Sequence, residues 1–450
     1  MRNKGNLYLV LGSLALVTLA CRQIKVNHVT QEPQLDYLPY TAHNSDAHLS
    51  RTEYKEHLEG FWLGECIANW TGLITEMDKI GGSGLDGRGA GFYTRDNWGG
   101  PDGPSIWQDE APERNIDFYL EPPDGIWGAD DDTDIEYMYQ SLLYQNHTSL
   151  LSGEQIREGW LAHIKPEEEN YLWVSNQRAF DLMKTGMTPP ATGSPENNPD
   201  YDMIDAQLTT ELFGLLAPGK PDIALQMAYL PIRTTASGQA AMIAEFYVIM
   251  HSLAAMAGPE WSMKEKTNWL AGKARMHLDA GGYAAKMYDQ VRQWYESGQP
   301  WEVTRDSLYE KYQVRQEDGY DWSTREPVCH GCFAAGINFG ASLISLFYGE
   351  GDLKETIKIG ALCGWDSDNP TATWGGLLGF LLGRVGVEEA FGRKLPDQFN
   401  IHRTRVGFPD NGIDRFSNMT QKGIFIIDRV VQEQMHGGVD IIKGVWYLPE

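Results

Sequence analysis

Gly60-Phe61-Trp62-Leu63-Gly64-Glu65-Cys66-Ile67-Ala68-Asn69-Trp70-Thr71-Gly72 reads as a helix with one bare face. Gly60, Gly64, Ala68 and Gly72 recur every fourth residue, which stacks them along one side of an α-helix. A second backbone can approach that side closely. Leu58, Phe61, Leu63 and Ile67 supply apolar flanks. Glu76 follows about one turn past Gly72, where a carboxylate can project into a cleft.

Working outward, the helical pattern begins at Glu53 and returns after Asp134, through Glu136, Met138, Leu142 and Leu143. It recurs over 154–164, 172–184, 222–229, 236–257, 261–278, 283–297, 304–312, 333–348 and 353–363. The run 236–257 is small and apolar and is expected to be a central buried helix. Alternation suited to a strand occurs only over 441–448. Helices with short connections imply an all-α orthogonal multi-helix bundle. No fixed-period repeat is visible, which argues against a solenoid. Residues 80–128 are rich in Gly, Asp, Trp and Pro without periodicity and read as a long loop insertion. Tyr93-Thr94-Arg95-Asp96-Asn97-Trp98-Gly99-Gly100 is its candidate substrate contact, with a plain surface insertion as the equal alternative. Asn97, Trp98 and Gly99 are the residues named from it, together with Trp365.

The chain of 450 residues carries a net charge of −25. That balance excludes broad electrostatic binding to nucleic acid, which needs Lys and Arg to replace phosphate counterions. Arg2 and Lys4 precede an apolar run, Leu7 to Ala20, shorter than the roughly 20 residues a spanning helix needs. The run closes on Ala20-Cys21, which resembles a bacterial lipoprotein signal. A lipid anchor at Cys21 and an exported, cell-envelope location are expected, with ordinary cleavage and release as the alternative. Residues 22–50 read as a tether and 51–450 as a single domain. Of the remaining cysteines, Cys329-His330-Gly331-Cys332 reads as a short-loop disulfide or two buried thiols rather than half of a zinc site. A monomer is expected.

Two acidic stretches carry the chemistry. Asp130, Asp131, Asp132 and Asp134 surround Thr133 ahead of a helical pattern. Asp366 and Asp368 stand two residues apart between apolar runs, followed by Asn369 and Pro370. Helix capping accounts for one or two of these residues. Three aspartates in a row repel one another unless protons or cations intervene. Oxygen donors without a nearby His favour Mg2+, Mn2+ or Ca2+ over zinc. Metal binding and separate solvated caps both remain open from residue chemistry alone.

The ordered set of motifs resembles the ADP-ribosylglycohydrolase family: Gly60 to Glu76, then Asp131-Asp132-Thr133, then Gly364-Trp365-Asp366-Ser367-Asp368. Ile204-Asp205-Ala206-Gln207, Ala217-Pro218-Gly219-Lys220-Pro221 and Gly349-Glu350-Gly351-Asp352 look similar to segments of larger members. The resemblance implies an all-α fold around a centre of two Mg2+ ions. It implies Asp131, Asp132, Asp366 and Asp368 as metal ligands and Glu76 as a ligand or general base; Asp130 and Asn369 join the ligand set through their own oxygens, and Glu76 and Asp132 are the catalytic candidates. It also implies hydrolysis of an N- or O-glycosidic bond to an ADP-ribosyl or related ribosyl group. Asp130 stands where Ser or Thr is usual, Asn369 where Thr, Ser or Cys is common, and Asn69 where Asp is frequent. An exported chain brings two rivals. One is hydrolysis of a glycan or nucleoside-type glycoside, and the other is a non-catalytic surface lipoprotein that binds glycans through its aromatic residues.

Overall fold

A computed structural model describes residues 35–107, 114–166, 170–325 and 329–450. Cys21 and the apolar run before it lie outside these residues. Residues 35–450 form one compact unit. The helices are α1 (Arg51–Gly72), α2 (Asp131–Gln145), α3 (Gly153–His163), α4 (Val174–Lys184), α5 (Leu212–Leu215), α6 (Pro221–Ile232), α7 (Gly238–Ala254) and α8 (Met263–Arg275). They continue with α9 (Tyr283–Glu296), α10 (Trp301–Leu308), α11 (Trp322–Arg325), α12 (Ala335–Gly349), α13 (Leu353–Cys363), α14 (Asp368–Phe391) and α15 (Phe416–Glu433). The fold is all-α, as the helical periodicity implies.

Its axis is α1 against α14, and the bare face explains the contact. A Cβ at Gly60 would lie 2.2 Å from the Gly379 carbonyl oxygen, and one at Gly64 2.2 Å from that of Gly375. At Gly72 it would lie 2.4 Å from the Asp368 Cα. The partner numbers fall as those of α1 rise, so the helices run antiparallel and each leans backbone on backbone. α14 bends at Gly383, whose φ of 68° only glycine adopts freely. Ser50 starts α1 by accepting from the Glu53 N–H at 3.2 Å.

Two small sheets are the part periodicity misses. β1 (Ala47–Ser50) pairs antiparallel with β6 (Val445–Leu448), which pairs with β5 (Gly438–Asp440). β2 (Trp127–Gly128) runs parallel to β3 (Gln398–Asn400), which is antiparallel to β4 (Ile413–Arg415). Only β6 lies in the alternating stretch 441–448; the other strands, of two to four residues, are too short to show alternation. Residues 35–50, expected in the tether, are built into the fold through β1. Tyr37 also donates to Asp428 Oδ2 at 2.8 Å, and Tyr40 stacks on Tyr447. Cys329 and Cys332 are disulfide-bonded, and Cys66 and Cys363 are buried and free.

Candidate metal centre and active site

The late motif turns sharply. Gly364 and Trp365 have φ of 101° and 59°, so the chain reverses between α13 and α14 and delivers Asp366 and Asp368 to the start of α14. Three hydrogen bonds hold this turn against the segment after α1. The Trp365 N–H donates to Lys79 O at 2.7 Å, the Met77 N–H to Trp365 O at 2.9 Å, and Ser367 Oγ to Gly72 O at 2.9 Å. Glu76 is thereby carried beside Asp366 and Asp368. β2 and α2 bring the other stretch. Trp70 Nε1 donates to Gly128 O at 2.9 Å, fixing the strand that leads into Asp130. The Asp130 N–H donates to Thr133 Oγ1 at 3.1 Å, so Asp131 opens the helix.

The result is two carboxylate trios. Glu76, Asp366 and Asp368 offer oxygens within 4.8 Å of one another, as do Asp130, Asp131 and Asp132. All six line one cavity of about 280 Å3. Among the described residues, none of the six pairs with Lys, Arg or His. Burial first, then the neighbouring carboxylates, push Glu76, Asp131, Asp132 and Asp366 well above the ordinary carboxyl range. Asp130 is pushed up to about 8 for the same reasons, Asp368 being its strongest neighbour. Such a site needs protons or cations. Asp368 Oδ1 is buried and has no hydrogen-bond partner among the described residues. An orphaned buried oxygen in an all-oxygen set fits a hard divalent cation.

Asp134, two residues on, answers differently. Arg405 lies 2.9 Å from its Oδ2, and both side chains are buried. Arg405 also donates to Asn170 O at 2.7 Å, tying the C-terminal segment to the rim of the cavity. Asp205 lines the cavity but is occupied, accepting from Ser175 Oγ at 2.7 Å and the Asn176 N–H at 3.0 Å.

Several expected positions fall elsewhere. Asn369 is not placed as a ligand. Its Oδ1 accepts from Gln207 Nε2 at 3.0 Å, its Nδ2 donates to Asp132 Oδ1 at 3.2 Å, and the residue is outside the cavity lining. Trp365 is fully buried behind the turn, its indole N–H donating to Gln313 Oε1 at 2.8 Å. It supports the Asp366 turn and does not line the cavity. Trp98 packs edge-on against Phe118, and Asn97 Oδ1 accepts from the Thr94 N–H. Gly99 donates to Ile116 O. These three pack the loop and are outside the cavity lining.

The aromatic residues that do line it are Trp107, Tyr171, Trp173 and Phe333. Trp107 stacks parallel to Trp173 with centroids 6.3 Å apart, and to Phe333 at 5.6 Å. Trp107 and Trp173 are 49% and 56% exposed, which makes them a rim rather than core. They come from three loops distant in sequence, and no spacing joins them. Trp107 falls in the 80–128 insertion but outside its candidate substrate contact, Tyr93 to Gly100.

One helical turn behind the trios lies a second acidic layer. Glu65, Glu136 and Glu211 are buried at 2%, 0% and 3% exposure. Glu136 accepts from the Leu212 N–H at 2.6 Å and Glu211 from Thr373 Oγ1 at 2.7 Å. Burial and mutual repulsion push Glu65 and Glu136 well above the ordinary range, and burial pushes Glu211 up to about 7. The folded state therefore holds protons that the unfolded chain has released. Its stability is fully present below the ordinary carboxyl value and falls as pH rises through about 7. In EDTA, the melting temperature of Glu211→Gln relative to wild type is expected to shift in the variant's favour between pH 5 and pH 8. An offset independent of pH would contradict the assignment.

A family model for ADP-ribosylglycohydrolase matches residues 50–419. No curated protein matches the chain. One similar solved structure is described as an ADP-ribosylglycohydrolase-related protein complex. It is 15% identical, covering 84% of this chain and 99% of that one at a TM-score of 0.47, a likeness too slight to carry an argument. The family match spans all three motifs and the helices that position them: the chain belongs to the ADP-ribosylglycohydrolase family.

Proposed function

We propose that the protein is a divalent-cation-dependent hydrolase of a glycosidic bond, acting on an ADP-ribosyl or related ribosyl group. The observation that carries this reading is the pair of carboxylate trios facing one aromatic-rimmed cavity without a cationic partner. Asp130, Asp131, Asp132, Asp366 and Asp368 would hold the cations, with Glu76 beside them, and with two Mg2+ ions as the natural choice for oxygen donors and Mn2+ or Ca2+ as substitutes. Bound there, they would anchor vicinal hydroxyls and acidify water.

The chain's own residues do the rest. Glu76 has no hydrogen bond to another described residue, whereas both Asp132 oxygens accept from amides at 3.0 and 3.2 Å. Glu76 is therefore the better general base, taking the proton of the attacking water as its oxygen bonds to the anomeric carbon. The bond to the leaving group breaks, and that group takes up the proton that Glu76 received, which restores the carboxylate. Negative charge around the sugar stabilises the oxocarbenium-like transition state. The aromatic rim offers flat faces to the remainder of the substrate and also suits a sugar or a nucleobase. A nucleoside-type or glycan glycoside outside the cell is accordingly the second reading. The apolar run before Cys21 supports an exported location.

The test is release of ADP-ribose or reducing sugar from a panel of ADP-ribosylated and glycosidic substrates, with Mg2+ and with EDTA. Turnover of at least one member, lost in EDTA, is expected. Activity in metal-stripped protein would overturn the mechanism, and binding without turnover under any metal would favour a glycan-binding role. Trp173→Ala is expected to raise KM by about 3- to 10-fold with little change in kcat, the loss of one stacking face. An unchanged KM would remove the rim from the substrate site.

A further inference from the structure

Asp132 and Asp134 sit two residues apart in the first turn of α2, both at or below 2% exposure. The protein treats them in opposite ways. Asp134 is neutralised by Arg405. Asp132 receives only neutral donors: Asn69 Nδ2 at 3.0 Å on Oδ2 and Asn369 Nδ2 at 3.2 Å on Oδ1. Gln207 Nε2 in turn donates to Asn369 Oδ1 at 3.0 Å. Asn69, Gln207 and Asn369 come from α1, the segment before α5, and α14, and each is at or below 1% exposure.

The orientation of these amides follows from the chemistry. With Gln207 donating to its oxygen, Asn369 can only turn N–H toward Asp132, and the reversed amide would set oxygen against carboxylate. Asn69 Oδ1 and Gln207 Oε1 are left buried without a partner among the described residues. Buried acceptors go unpaired rarely, so the arrangement gives up acceptor pairing to place donors on Asp132. A neutral donor fixes a carboxylate without cancelling its charge, and each oxygen keeps a lone pair for a cation.

We propose that Asn69, Asn369 and Gln207 are positioning residues. They form an amide clasp that sets the Asp132 carboxylate for the divalent cation and thereby tunes cation affinity. The clasp rests on the reading of the cavity as a cation centre. It replaces the role of Asn369 as a ligand with that of a partner to a ligand. Outer partners of this kind alter metal affinity by about 10- to 100-fold when removed.

Mn2+ binding to the full chain, measured by titration calorimetry, tests it alongside the melting temperature in EDTA. Asn69→Leu removes one donor outright. Gln207→Met keeps the length but offers Asn369 Oδ1 no donor, so the Asn369 N–H is no longer held on Asp132. Both variants are expected to bind Mn2+ about 10- to 100-fold more weakly, with metal-free melting close to wild type. Should Asn69→Leu fail to fold, the near-isosteric Gln207→Met decides alone. Affinity within twofold of wild type overturns the clasp while leaving the cation centre intact. A wild type that binds no Mn2+ overturns both.

Discussion

Replacing Asp366 and Asp368 together with alanine is expected to abolish turnover, by about a thousandfold or more, while leaving the protein folded. Asp368 opens α14, Asp366 stands two residues before it, and together they are two of the three members of their trio with Glu76. Lewis-acid assistance is worth several kcal/mol, and about 1.4 kcal/mol corresponds to each tenfold in rate. The effect on stability runs the other way. In EDTA the six carboxylates of the cavity face one another without a cationic partner, so removing two relieves repulsion. The metal-free variant should melt at or above the wild-type temperature, and Mg2+ should stabilise wild type more than the variant. Calorimetric titration with Mn2+ should show the loss of at least one site. Retained turnover, or a variant that binds Mn2+ with the stoichiometry and affinity of wild type, would sink the assignment.

The second large effect concerns the axis of the fold. Gly64→Ala ought to stabilise an isolated helix by roughly 1 kcal/mol, because alanine is the better helix former. Here packing reverses the sign. The added methyl would lie 2.2 Å from Gly375 O and 3.0 Å from the Gly379 Cα, both backbone atoms of a buried helix. Neither can swing aside as a side chain would, so α1 and α14 must separate, and overpacking of this kind costs about 3 kcal/mol or more. Gly64→Leu is expected not to fold. The control is Gly272→Ala in α8, where a Cβ meets nothing within 4 Å. There propensity acts alone, and a gain of about 0.5–1 kcal/mol is expected. Chemical denaturation of the three variants separates the two terms. A stabilised Gly64→Ala would refute the backbone contact between the helices.

Separation of α1 from α14 would reach the site as well as the core. Gly72 ends the same bare face, and its missing side chain leaves room for the Asp368 Cα and the Thr371 hydroxyl. The spacing that makes the helix pair pack thus also sets how closely the Asp366 turn approaches Glu76.

What could be read in advance divides along the physics of distance. Periodicity is local, so the helices around Glu53, Asp134, Leu353 and their neighbours were legible. Crowded like charges are local too, so Asp130 to Asp132 and Asp366 with Asp368 stood out. α15 was not assigned to an element, although Phe416, Met419, Ile427 and Val431 are buried at helical spacing. The Asn97–Gly99 run was marked because turn-rich aromatic loops often contact ligands, yet Trp98 spends its ring on Phe118. Trp365 stands inside the late acidic motif, yet with a φ of 59° its ring is buried in the core. Asn369 was marked because its side chain contains an oxygen. Which end of that amide faces the carboxylates depends on Gln207, 162 residues away.

The sequence by itself determined an all-α chain, a helix with a bare face, and two acidic stretches that no ordinary core would tolerate. Tertiary structure alone decided that those stretches form two trios on one cavity and that Trp107, Trp173 and Phe333 rim it. It also decided that Asp132 is held by amides while Asp134 is neutralised by Arg405. The reason is that helix periodicity and charge crowding act between residues near in sequence. Ligand geometry, stacking and hydrogen-bond direction depend on groups brought together only when α1 packs along α14.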